Sequence, residues 1–197
     1  MEPQLKTEEL YDVTIIGSGP AGLYSAFYSG LRSMKTKIIE FQARLGGKIH
    51  VYPQKMIWDI GGLTPVTGEQ LIEQLVAQGL TFGPTVILDE KIVNIERNQD
   101  NIFLLHGESG RIHYSKTVIA AIGMGILKPN KLAVDGAERF EHSNLHYKVR
   151  SLHRFKNKTV LISGGGNAAI DWAVELLPFA KHVFLTYRKE AFKGHEA

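Results

Sequence analysis

Three glycines stand at G-x-G-x-x-G spacing in Gly17-Ser18-Gly19-Pro20-Ala21-Gly22, after a β-branched run and before a helical pattern. Each has a task in holding a dinucleotide. Gly17 permits the tight turn, Gly19 lets the backbone approach a pyrophosphate, and Gly22 lets helix and strand pack closely. The helix that begins there offers free N–H groups and a positive dipole end to the phosphates. Glu40, at the end of the next strand-like run, is placed to accept both hydroxyls of an adenosine ribose. The competing reading is a structural glycine turn with a surface glutamate.

Gly164-Gly165-Gly166-Asn167-Ala168-Ala169 repeats the form, with Ala169 in place of the third glycine. The position matching Glu40 carries no carboxylate; the sequence there is Tyr187-Arg188-Lys189, with Lys193 beyond. Cations at that strand end suit a ribose 2′-phosphate, so NADP(H) is expected over NAD. Against this, Arg188 and Lys189 could be solvated surface charges, and Glu190 beside them opposes a phosphate. Two such turns in one chain imply two dinucleotides, whose usual joint chemistry is hydride transfer between nicotinamide and flavin. The cofactors would carry that chemistry, so no side chain is assigned a catalytic role. His142 and His146 have the i, i+4 spacing of helical metal ligands. The stretch shows neither a helical face nor a third ligand, and no metal site is expected.

These residues need elements to position them. Residues 11–16 read as a buried strand. Leu23, Ala26, Phe27, Gly30 and Leu31 mark one helical face, and residues 36–40 the next strand, which completes a βαβ unit. Residues 41–65 read as a long glycine-rich connection, of the kind that is usually functional or disordered. Thr67 and Gln70 fit a capping box, ahead of a helix that buries Leu71, Ile72, Leu75 and Val76. Strands follow at 85–88, 91–97, 102–105 and 111–114, the last two joined through the turn-rich 106–110 as part of a meander. A separate buried strand is expected at 117–121. Polar sequence then runs to about Lys158, where a second βαβ unit starts: a strand at 159–163, a helix face of Ile170, Ala173, Val174 and Leu177 ended by Pro178, and a strand at 182–187. The expected organisation is α/β, with a first domain at 1–122 and a second at 123–197.

Composition narrows the partners. The 197 residues are 44% hydrophobic and 22% charged, as in ordinary globular proteins. A net charge of +3 without a Lys/Arg block argues against nucleic acid. The absence of cysteine excludes disulfides, Cys-ligated zinc, iron–sulfur ligation and a dithiol redox centre within these residues. The polar N-terminus does not resemble a signal peptide. The longest apolar stretch, 117–127, falls short of the roughly 18 residues of a membrane span. A cytoplasmic protein that enters no membrane is expected.

The motif residues, with Ile38-Ile39-Glu40, Leu45-Gly46-Gly47 and Ile170-Asp171-Trp172, resemble the thioredoxin-reductase-like flavoproteins, and within them the ferredoxin–NADP reductases of that type. The resemblance spans essentially the whole chain. It implies two Rossmann-like domains, FAD in the first and NADP(H) in the second. It further implies a homodimer and transfer of electrons from NADPH through FAD to ferredoxin or flavodoxin. A small-molecule or quinone acceptor, or an inactive nucleotide-binding fragment, are the other readings. The Cys-x-x-Cys of thioredoxin reductases is absent: that stretch reads Leu145-His-Tyr-Lys-Val-Arg150-Ser151. The family's flavin-holding Gly-Asp pair is also absent, so the resemblance implies a C-terminally truncated member with an incomplete second domain. By motif it places residues 17–22 on the FAD pyrophosphate and Glu40 on the ribose. It places Gly47, Lys48, Tyr52 and Leu127 toward the flavin and Ile92 at the adenine, with lysine at 48 in place of the family's glutamine. It places Gly164, Gly166, Asn167, Ala168, Arg188 and Lys189 on NADP(H).

Overall fold

The computed structural model describes residues 9–125, 131–141, 143–147, 149 and 151–193. Leu127 and His142 lie outside them. The chain divides into two units, Met1–His50 with Ile57–Asn130, and Val51–Met56 with Lys131–Ala197.

The first unit is built on strands β1 (Leu10–Ile16) and β2 (Thr36–Ile39), with helix α1 (Pro20–Leu31) between them. β1 and β2 run parallel, with Val13 opposite Thr36 and Ile16 opposite Ile39. All four residues of β2 are buried, as a central parallel strand covered on both faces requires. Two short strands, β3 (Met56–Ile57) and β4 (Val66–Thr67), pair within the glycine-rich connection, which also holds a 3-10 turn at Gly47–Val51. Helix α2 (Gly68–Gly79) follows, started by the expected box: the Gln70 amide donates to Thr67 Oγ1 at 3.3 Å and the Thr67 amide to Gln70 Oε1 at 3.0 Å. Strands β5 (Thr85–Ile87), β6 (Ile92–Arg97), β7 (Phe103–Gly107) and β8 (Ile112–Ala120) complete a six-stranded sheet in the order β5-β2-β1-β8-β7-β6.

β8 corrects the expectation of two strands at 111–114 and 117–121. It is continuous: its first half pairs antiparallel with β7, and β1 runs parallel along nearly its whole length. Ser115 and Lys116 looked like a break because they are polar, but Ser115 is buried and its hydroxyl donates to the Thr117 carbonyl at 2.7 Å. One strand thus joins the parallel sheet to the meander. Val13, Ile15, Leu23, Ala26 and Ile38 form the core, flanked by Leu75 and Val76 of α2. The α1 face differs at its end from the pattern, since Leu31 is 54% exposed and Ser29 is buried in its stead.

Where the parallel strands meet the meander, Glu90 is buried. Its carboxylate accepts from Ser109 Oγ at 2.6 Å and pairs with Arg111 Nε at 3.0 Å, with His113 Nε2 at 3.9 Å. Burial works to raise the Glu90 pKa, but the Ser109 hydrogen bonds and the Arg111 and His113 charges outweigh it and hold the pKa below its ordinary value.

In the second unit, β9 (Thr159–Ser163) and β10 (His182–Thr186) run parallel around helix α3 (Asn167–Leu176). Leu176 is buried, whereas Val174 and Leu177 are exposed, so half of the expected α3 face is corrected. Leu177 is the C-cap of α3, one residue before Pro178, so the exposed pair lies in the last turn of the helix and at its cap, whereas Ile170 and Ala173 are half-buried.

Candidate functional site

The first glycine turn is shaped by three close approaches within its unit. Gly17 has φ +100°, and a Cβ there would lie 2.4 Å from the Ala121 carbonyl oxygen. A Cβ on Gly22 would lie 2.0 Å from the Gly17 oxygen, and one on Gly47, at φ +61°, 2.7 Å from Gly19 Cα. Glycine at 17, 22 and 47 is therefore required by the fold itself. Gly19 is different. Its backbone is extended, φ −71° and ψ −175°, which any residue adopts, and a Cβ there meets nothing within 4 Å. Nothing in the chain demands glycine at 19. A molecule lying against that backbone would.

The second turn repeats this logic. A Cβ on Gly164 would touch the Ala169 methyl at 3.0 Å, and one on Gly165 would enter the Tyr187 ring at 2.3 Å. Gly166, with φ −99° and ψ 180°, has open space where its Cβ would stand. Gly166 occupies the place in this turn that Gly19 occupies in the first. Helix starts agree with the glycines. α2 carries a full capping box, while α1 and α3, which open at Gly19 and Gly166, have no side-chain cap. In both, the N-cap is a glycine that supplies no side-chain acceptor, an arrangement that suits an anion at the helix end. Pro20 fits the first position of α1, where its missing N–H costs nothing. Pro20 and Ala21 are exposed at that end.

Glu40 follows β2 directly. It is 2% exposed. Its Oε2 accepts from the Ser18 amide at 2.8 Å and from Ser18 Oγ at 2.6 Å, and its Oε1 from the Gln42 amide at 2.9 Å. Glu40 thus locks the turn from behind through buried Ser18, and the acceptor capacity it keeps is on Oε1. Lys48 is exposed in the 3-10 turn that begins at Gly47, and its Nζ donates to Met124 Sδ at 3.4 Å. Residues 17–22, 46–48 and 121–124 are therefore brought together. Ile92 is half-buried at the start of β6, opposite Gly107.

Tyr52 is half-buried, and its segment, Val51–Met56, belongs to the second unit. In that unit Asn167 and Ala168 form the first residues of α3. Arg188 and Lys189 are exposed just past β10. The chain after them returns to the turn: Tyr187 stacks on Phe192 at 5.8 Å, and the Lys193 amide donates to the Gly165 carbonyl at 2.7 Å. Leu127 lies outside the described residues. Sequence reasoning missed an ion pair of Lys55 with Asp171. Lysine four residues into a polar loop and an aspartate on a distant helix gave no spacing signal.

The chain is similar to known proteins over nearly its whole length. The chain is 72% identical over 193 residues to ferredoxin–NADP reductase 1 of Bacillus mycoides, and 67% identical to ferredoxin–NADP reductase 2 of Exiguobacterium sibiricum. Each alignment covers 98% of this chain and 55% of the relative, so the chain spans about half the length of these curated relatives. Among solved structures, thioredoxin reductase of Lactococcus lactis superposes with a TM-score of 0.79 at 27% identity, over 94% of this chain and 59% of the other. Thioredoxin reductase of T. acidophilum shares the fold at TM-score 0.80 and 19% identity, over 95% of this chain and 59% of that one. The profile of the pyridine nucleotide-disulphide oxidoreductases matches residues 11–196; with its two glycine turns and α/β architecture, the chain belongs to that family.

Proposed function

We propose that this chain carries the FAD site and the NADP(H) site of a ferredoxin–NADP reductase, in parts spanning residues 1–122 and 123–197. The observation that carries the reading is the pair Gly19 and Gly166. Each is a glycine whose added Cβ would meet no atom of the described residues within 4 Å, at the start of a helix without a side-chain cap. When bound, nicotinamide and flavin supply hydride and electron transfer. The chain's own residues bind and orient them. The N-terminus of α1 faces the FAD pyrophosphate, and Glu40 holds the turn in shape while Oε1 accepts from the ribose. Lys48 rests on a thioether, a weak acceptor, so its charge is free to turn toward an anion. In the second unit Asn167 and Ala168 open the helix at the NADP(H) pyrophosphate, and Arg188 and Lys189 meet the 2′-phosphate. The relatives' name supports ferredoxin as electron acceptor, with flavodoxin the equivalent small acidic partner. At full length the protein works in the cytoplasm as a homodimer, away from nucleic acid and membrane. Among the described residues no helix is long and apolar enough to cross a membrane.

Titration of NADP+ into the chain tests this. Gly166→Val is expected to abolish binding, because a Cβ there meets no described atom within 4 Å and the side chain stands where the pyrophosphate lies; circular dichroism checks that the variant is folded. Unchanged NADP+ affinity in the variant overturns the assignment. At the relatives' full length, ferredoxin is expected to be reduced at the expense of NADPH faster than a free quinone.

A further inference from the structure

The loop that carries Tyr52 is fastened by residues of the second unit. Val51–Met56 falls within that unit although the residues on either side of it in sequence do not. Two polar contacts hold it. Gln54 Oε1 accepts from the Leu152 amide at 2.9 Å, and the Lys55 ammonium is ion-paired and hydrogen-bonded to Asp171 Oδ2. The Lys55 side chain is only 27% exposed, so the pair is partly withdrawn from water, where charge-assisted contacts gain strength.

Asp171 sits one helical turn along α3 from Asn167, the residue that opens the helix at the second glycine turn. The next turn brings Glu175 onto the same face. Its Oε2 is buried without a partner. Burial, seconded by the Asp171 charge and opposed by Lys55, pushes the Glu175 pKa up. The first two turns of α3 therefore carry both the nucleotide-facing end and the anchor of the Tyr52 loop on one rigid rod.

We infer that Lys55 and Asp171 are positioning residues that couple the Tyr52 loop to the nucleotide end of α3, so that filling the second glycine turn sets the position of the loop. The inference rests on the NADP(H) assignment made above. α3 is anchored at both of its early turns once nucleotide binds, and the salt bridge links the loop to that anchored end.

Amide hydrogen exchange on the chain, with and without saturating NADP+, tests the coupling. In the wild type, NADP+ is expected to slow exchange at residues 164–169 and, by a further several-fold, at 51–56. In Lys55→Met and in Asp171→Asn the turn stays protected by NADP+, while the loop exchanges faster and no longer responds. Lys55→Arg restores the response, which a purely structural contribution to stability would not single out. Protection of 164–169 with no change at 51–56 in the wild type overturns the inference alone. A loop response that persists in both Lys55→Met and Asp171→Asn also overturns it. Absence of protection at 164–169 overturns the nucleotide assignment, and the coupling with it.

Discussion

Lys37 is 6% exposed in β2, with its ammonium 3.9 Å from the centre of the Tyr11 ring. Burial first, and then the charge of Lys35, push its pKa down to about 8, with Glu9 acting the other way. Below pH 8 the lysine is charged in both folded and unfolded chains, and the folded state bears the cost of burying it. Between pH 8 and the unfolded value near 10.5, only the folded chain gives up the proton, so stability rises with pH across that window. Lys37→Met is therefore expected to stabilise the chain at pH 7 by about 1 kcal/mol, the cation–π contact offsetting part of the gain. That gain should shrink as pH climbs past 8 in denaturant titrations; a destabilised variant at pH 7 would show that the ammonium is well satisfied where it lies. Arg188 and Lys189, exposed beyond β10, test cofactor choice. Replacing both with alanine should weaken NADP+ far more than NAD+, at roughly 1.5–3 kcal/mol per lost charge-assisted partner. Equal loss for the two nucleotides, read by calorimetry, would remove them from the phosphate site.

At the scale of elements, α2 depends on its cap. Thr67→Ala removes the acceptor of the Gln70 amide and is expected to lower stability by about 1 kcal/mol in urea unfolding. The meander depends on Glu90, and His113 beside it adds a pH response. Burial and then the Lys37 charge hold the His113 pKa below 6.5, against the pull of Glu90. The unfolded chain thus takes up a proton first as pH falls through 6.5, and stability drops until the folded pKa is reached. Wild type should lose stability between pH 7 and 5, and His113→Gln should lose less, as seen in melting temperature against pH. Much of this scaffold was legible beforehand. β1, β2, β9, α1 and α2 declare themselves through β-branched runs, glycine turns and a capping box, all local signals. The continuity of β8 was not legible, because buried Ser115 satisfies its hydroxyl on the Thr117 carbonyl, a contact that only the folded strand creates. Likewise the glycine motif marks the two turns, but the burial of Glu40 against Ser18 and the pairing of Lys55 with Asp171 arise from tertiary neighbours that no spacing encodes.

Across the whole molecule, two units each present a glycine turn at an uncapped helix, and they should respond to ligands separately. FAD and NADP+ are each expected to raise the melting temperature according to concentration over dissociation constant, and together to give the sum of the two effects. A shift from one nucleotide that cancels the other would mean a single shared site. The most direct test of the account is the titration of FAD into the chain, read by quenching of flavin fluorescence, for the wild type and for Gly19→Val. Gly19 has an ordinary extended backbone, and a Cβ there meets no described atom within 4 Å. The account predicts weak, saturable binding of one FAD to the wild type, its ADP half held at the first glycine turn, and none to Gly19→Val, whose fold is checked by circular dichroism. Equal binding to both proteins, or none to the wild type, would contradict it.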